Sequence, residues 1–279
     1  MAGCNFSKSV KKDLVSGLVL TGNGLTCEDV YITVNNERTS KTSFTYGETA
    51  YLIFSDIKGF KAENNSVYPL MEILVSDAKG DTMLFADNLY GEYTDGMSYS
   101  PLELTADLTV ATPIRSGGEY TMKVHIKDRK GPGTYSSALN FTVESNGNIK
   151  TEPRKVTFNE AYVYSQGKEK VVNDGKISPD DNIYIIVEGL KGINEENGRT
   201  YPALSLKVTD SAGTTMIEND DLLAEYSESG VDPADLSSRI SSHFKISGTD
   251  FRNPLHCLMT VWDRKSEAKV TVSTDLSVE

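Results

Sequence analysis

Three histidines (His125, His243, His256) and three cysteines (Cys4, Cys27, Cys257) are the residues best suited to nucleophilic, acid–base or metal chemistry. No H-E-x-x-H or other ligand spacing links the histidines, and no C-x-x-C pair offers a zinc or redox site. His256 adjoins Cys257, but neighbours along a strand point to opposite faces, so the two cannot act as a dyad. A Cys27–Cys257 bridge would have to join the two halves of the chain, and none is expected. Gly22-Asn23-Gly24 and Gly131-Pro132-Gly133 punctuate turns without the following helix that a phosphate cradle needs. Glu218-Asn219-Asp220-Asp221 and the Asp77/Asp81 pair carry hard oxygen atoms of the kind calcium accepts, yet no D-x-[DN]-x-[DN]-G loop organises them. The expectation is a protein with no catalytic residue, no metal and no cofactor.

Charge excludes one partner class. Against 40 acidic side chains stand 28 basic ones, a net charge of −12, and such a field repels nucleic acid. A composition 38% apolar and 24% charged is globular, and 279 residues suffice for two domains. No run of about 18 apolar residues supplies a transmembrane helix.

The elements that position these residues come in two copies. Tyr68-Pro69 and Tyr201-Pro202 lie 133 residues apart, and at that offset Gly59 meets Gly192, Asp77 meets Asp210, Gly80 meets Gly213, Leu89 meets Leu222, and Glu92-Tyr93 meets Glu225-Tyr226. Asp128-Arg129-Lys130 recurs as Asp263-Arg264-Lys265 after a small shift. A period this long marks two whole domains instead of a solenoid of small units. Both copies alternate apolar and polar residues with period two: Met71, Ile73, Val75 and Tyr120, Met122, Val124, Ile126 in the first, Leu204, Leu206, Val208 and Leu255, Cys257, Met259, Val261 in the second. The runs Tyr51–Phe54 and Tyr184–Val187 are apolar on both phases, as central strands are. About seven short strands per copy, parted by Gly, Asn, Asp and Pro turns, predict an all-β protein of two tandem immunoglobulin-like β-sandwich domains. Residues 1–12 read as a flexible tether, 13–145 as the first sandwich, 146–156 as a linker and 157–279 as the second sandwich. Leu18-Val19-Leu20 could add a strand to the first sandwich. One helical turn is expected at Asp232-Pro233-Ala234-Asp235, with Asp232 as N-cap and proline at the first helical position.

Candidate binding residues are those the repeat does not explain. On the outward phase of the penultimate strand the first copy carries Thr121, Lys123, His125 and Lys127, whereas the second carries His256, Leu258, Thr260 and Trp262, the protein's one tryptophan. Leu258 and Trp262 form an apolar stripe that either packs against another part of the chain or binds a protein or glycan. Tyr90 and Tyr99 are further candidates for stacking on sugar rings. The Glu-Tyr pairs, present in both copies, read first as a fold requirement, with ring buried and hydroxyl bonded to backbone.

Met-Ala-Gly-Cys followed by the polar tract to Lys12 looks like the end of a bacterial lipoprotein signal, in which small residues precede a cysteine that becomes lipidated; Cys4 would be that residue. Together with the repeated G-[FI]-x-x-E-N-x-x-x-Y-P, V-x-D-x-x-G, D-x-L-x-x-E-Y and late D-R-K, from about Asp29 to Glu279, this resembles the tandem Ig-like lipoproteins of Bacteroidota. The resemblance implies an outer-membrane lipoprotein on the periplasmic or surface face, touching the membrane only through its N-terminal lipid. It further implies a binding or structural task towards an envelope protein or glycan, with a carbohydrate-binding protein as the alternative. It carries over no catalytic residue.

Overall fold

The computed structural model describes residues 8–13, 15–98 and 101–279; Cys4 and Tyr99 lie outside them. The chain divides into two compact units, Met1–Glu144 and Ser145–Glu279. Along the first run β1 (Lys8–Lys12), β2 (Val19–Asn23), β3 (Thr26–Val34), β4 (Glu37–Thr39), β5 (Ser43–Thr45), β6 (Thr49–Lys58), β7 (Ser66–Val67), β8 (Pro69–Asp77), β9 (Thr82–Ala86), β10 (Met97–Ser98), β11 (Leu104–Thr109), β12 (Glu119–Asp128) and β13 (Thr134–Glu144). Along the second run β14 (Ile149–Arg154), β15 (Glu160–Ser165), β16 (Lys170–Val171), β17 (Lys176–Ile177), β18 (Ile183–Glu188), β19 (Glu195–Glu196), β20 (Arg199–Thr200), β21 (Pro202–Thr209), β22 (Thr215–Asn219), β23 (Arg239–Phe244), β24 (Leu255–Asp263) and β25 (Lys269–Val278).

Both units are immunoglobulin-like sandwiches of one architecture. The large sheet of the first runs β1-β2-β13-β12-β8-β9, with β5 parallel on β13, and the small sheet runs β11-β6-β3-β4. In the second unit the large sheet runs β14-β25-β24-β21-β22, with β17 parallel on β25, and the small sheet runs β16-β15-β18-β23. The doubly apolar runs are indeed central: β6 lies between β11 and β3, and β18 between β15 and β23. The inward phases supply the cores. Met71, Ile73, Val75, Met122, Val124 and Ile126 are buried in the first unit. Leu204, Leu206, Val208, Cys257, Met259 and Val261 are buried in the second, in one cluster with Val163, Ile185 and Val187 of the opposing sheet. Each such side chain contributes roughly 1.5–3 kcal/mol by leaving water, which is why alternation carries over into sheet faces. In the first unit Phe54 of the small sheet meets Tyr135 of the large sheet edge-on at 6.1 Å.

A corner tyrosine marks the fold in the first unit. The Tyr120 hydroxyl, at the start of β12, accepts from the Arg115 N–H (2.8 Å) and donates to the Arg115 carbonyl (3.2 Å). Leu255 begins the corresponding strand β24. The short helix α1 (Pro233–Ser238) stands where its cap signal placed it, the Asp232 carboxylate accepting from Ala234 N–H at 2.8 Å.

Three readings of the sequence need correction. The tether is not free over its whole length, since Lys8–Lys12 pairs antiparallel with β2. Nor is 146–156 merely a linker, because Ile149–Arg154 pairs antiparallel with β25 as the edge strand of the second sheet. That edge strand is largely wet on both phases, so it shows no alternation, and an edge tolerates Pro153. The expected strand after Leu18 is present as β2 on β13, but Gly22-Asn23-Gly24 is no turn: Gly22 and Asn23 pair with Tyr135 and Thr134 as the extended end of β2, Gly24 bridges Thr134, and the chain crosses to the other sheet at Leu25.

Candidate functional site

The repeated polar motif is internal scaffolding. Asp128 and Asp263, both buried, stand at the ends of β12 and β24. Asp128 accepts from the N–H of Lys61 (2.7 Å) and of Lys130 (2.9 Å). Asp263 accepts from Asn194 (2.9 Å), Lys265 (3.0 Å) and the Ser266 hydroxyl (2.6 Å). Beside them the Lys130 ammonium lies 4.8 Å from the Tyr68 ring centre and 3.2 Å from Glu63, as Lys265 lies 4.6 Å from Tyr201 and 3.2 Å from Glu196. Glu-Asn, Tyr-Pro and Asp-Arg-Lys, far apart in sequence, thus meet as one cluster that ties two loops to a strand end. Gly59 and Gly192 belong to the same corner. Their φ angles are +101° and +99°, and a Cβ would collide with the carbonyl oxygen of Gly24 or Lys155.

The acidic turns are likewise committed. Asp77 Oδ1 accepts from Lys79 and Asp81 N–H, and Asp210 Oδ1 from Ala212 and Thr214 N–H, in one shared hairpin geometry. Those backbone donors, Thr214 foremost, hold the Asp210 carboxyl below the ordinary carboxylate value. Asp221 accepts from Leu204 and Leu223 N–H and pairs with Arg264. Both described cysteines are free thiols; burial pushes Cys27 and Cys257 up to about 12, so neither is a thiolate nucleophile at neutral pH.

Of the candidate binding residues, Tyr90 is half-buried. Its hydroxyl accepts from Thr105 N–H (2.7 Å) and donates to the Thr105 carbonyl (3.2 Å), and burial raises its pKa. The exposed ring is its neighbour Tyr93, 50% accessible, 5.7 Å from Tyr90 with planes tilted by 42°. The Glu-Tyr motif therefore differs from its expected form: Tyr93 and Tyr226 (40% accessible) face outward, and what the two copies share there is a backbone turn, Tyr93 N–H to Tyr90 O and Tyr226 N–H to Leu223 O.

Leu258 and Trp262 share the outer face of β24 but not one site. Leu258, 41% accessible, floors a shallow depression of about 350 Å³ whose rim includes Lys150, Lys207, His256, Ser273 and Asp275. His256 Nδ1 lies 2.6 Å from Asp275, and Lys207 lies 2.7 Å from Glu218. Trp262 stands four residues on, about 13 Å along the strand, half-buried and cross-strand from the fully buried Ala203. No signal along the sequence pointed to the depression, because its rim gathers residues from four strands and the loop ahead of β14.

Such a chain is, by class, a tandem immunoglobulin-like β-sandwich protein. No family model matches it, and no curated protein does. Among solved structures it is similar to a β-glucuronidase 2 of Bacteroides uniformis, at 8% identity and a TM-score of 0.27, over 91% of this chain and 32% of that one, so it spans about a third of that enzyme's length. It is also similar to fibronectin(III)-like modules of Clostridium thermocellum CbhA, at 10% identity and 0.20 over 89% and 94%. A DUF3823 family protein of Bacteroides ovatus matches at 11% and 0.25 over 83% and 100%.

Proposed function

We propose that the protein is a non-enzymatic binding or structural module of a bacterial cell envelope, held to the outer membrane by a lipid on Cys4. One observation carries the reading: the shared aspartates Asp77/Asp210 and Asp128/Asp263 and the lysines Lys130/Lys265 are consumed in turns and loop clusters, while the outer faces of the large sheets carry different side chains in the two copies. A duplicated fold that keeps its interior and varies its faces is built to present surfaces. The Ala-Gly-Cys sequence and the resemblance to tandem Ig-like lipoproteins support the address.

The face around Leu258 is the partner surface of choice, being an apolar floor with charged groups at its rim, the anatomy of a small interface. Tyr90 has its hydroxyl occupied and Tyr90 and Tyr93 are not coplanar, which weighs against a sugar-stacking platform. Two measurements test the proposal in the native host. Mass spectrometry should find a diacyl or triacyl group on Cys4, and an unmodified Cys4 rejects the anchor. In-envelope cross-linking should capture a partner that Leu258→Lys loses and the wild type keeps. Binding on a glycan array that survives Leu258→Lys and fails in Tyr93→Ala would instead establish the carbohydrate reading.

A further inference from the structure

The strands that end the four larger sheets are β1 and β9, β11 and β4, β14 and β22, β16 and β23. An end strand exposes a row of unpaired backbone donors and acceptors, and proteins guard such rows with charges or proline. Seven of the eight carry a guard: lysines in β1, Asp107 in β11, Glu37 and Arg38 in β4, Lys150 to Arg154 with Pro153 in β14, Glu218 in β22, Lys170 in β16 and Arg239 in β23. The exception is β9, Thr82-Met83-Leu84-Phe85-Ala86, with neither charge nor proline. It pairs with β8 alone, and Phe85 is 60% accessible on the outer face. Its counterpart in the second unit, opposite the equivalent strand, bears Glu218 where β9 bears Phe85.

What fits this edge is written at the other end of the same sheet. β9 is bracketed by Asp81 and Asp87, both exposed and, among the described residues, without an ion-pair partner, so two β9 strands run antiparallel would set carboxylates against carboxylates. β1 is basic, Lys-Ser-Val-Lys-Lys, so two β1 strands also repel. A β1 against a β9 brings opposite charges together. Direction agrees as well: every neighbour along β1-β2-β13-β12-β8-β9 is antiparallel, so a β1 added beyond β9 continues the alternation. With Val10 opposite Phe85, both fall on the outer face, and Lys12 comes beside Met83, next to Asp81. Val10, 74% accessible, and Phe85 would then cover one another.

We infer that the first unit carries a head-to-tail self-association surface in which the Lys8–Lys12 strand of one copy adds to the β9 edge of the next. The repulsion of like edges disfavours a two-fold dimer, and a heterologous contact of this kind repeats along an open row of molecules.

The test uses the full-length chain in analytical ultracentrifugation from about 1 to about 100 µM, the range of weak association. Wild type should show mass rising with concentration at low salt, the association weakening about tenfold when salt screens the edges. Lys12→Glu and Asp81→Lys should each be monomeric alone and regain wild-type association when mixed in equal amounts, because the exchanged charges again oppose. Phe85→Lys should be monomeric, with an unchanged melting temperature showing that the fold is intact. A wild type that stays monomeric throughout, or charge variants that associate as wild type does, would overturn the inference.

Discussion

One row of side chains, read across the large sheet of each unit, shows what duplication has kept and what it has changed. In the first unit, successive hydrogen-bonded neighbours on the outer face are Val19, Ala138, Lys123, Leu74 and Phe85. The corresponding row in the second is Lys150, Ser273, Leu258, Lys207 and Glu218. The chemistry is inverted: an apolar row with lysine at its centre against a polar row with leucine at its centre. Directly beneath, on the inner face, the two units agree, Ile73 and Val124 answering to Leu206 and Met259, all buried. Inner positions answer to packing density, which neither copy can escape. Outer positions are released from that constraint, so they are free to diverge.

The comparison can be broken most forcefully at the shared cluster. Asp128→Ala and Asp263→Ala each leave two part-buried backbone N–H groups without their carboxylate acceptor and should destabilise their own unit by about 1–3 kcal/mol. Asp263→Ala should cost the more, since Ser266 also loses its acceptor. Denaturant unfolding of each variant checks this, and a loss below about 1 kcal/mol at both sites would mean the motif is not what holds the loops.

On the outer face of β24 the effects should separate by position. Trp262→Ala, beside the buried Ala203, should lower stability by about 1–2 kcal/mol through lost apolar burial. Leu258→Ala should stay within about 0.5 kcal/mol. Equal costs in thermal melts would erase the distinction between a packed Trp262 and a presented Leu258.

The smallest effect belongs to His125 on the outer face of β12. Burial, and then the nearby Lys127, hold its pKa below the ordinary 6.5. In that window the unfolded chain binds more protons than the folded one, so this contribution is present above about pH 6.5 and is lost as pH falls through the depressed folded value. His125→Asn should flatten that part of the stability–pH curve, measured against wild type by melting between neutral and mildly acid pH. An unaltered slope would show that the histidine is not the group titrating.

Much of the fold was legible in the residues. Alternation in β8, β12, β21 and β24 announced which side chains face inward, and every one of them is buried. The Asp232 cap announced α1. Edge strands were harder to see: β1 and β14 carry no alternation because both their phases touch water, so a pairing partner alone makes them strands. The tyrosines misled for a related reason. Tyr93 and Tyr226 recur in both copies, yet the ring bonded to backbone is Tyr90, which has Leu223 as its counterpart, and the corner tyrosine is Tyr120, with Leu255 as its counterpart. A recurring letter marked a shared turn in the backbone, and the hydroxyl's partner could not be inferred from it.

By itself the amino-acid order determined the period-two burial and the doubling of the unit, because these are properties of side chains and their near neighbours along the chain. Only tertiary structure decided that Val19 and Phe85 share one continuous row, that β9 is left unguarded while β22 is not, and that Leu258 floors a depression from which Trp262 is absent. Cross-strand register is set by pairing between residues as much as a hundred positions apart, and no local pattern encodes which strand will be last in a sheet.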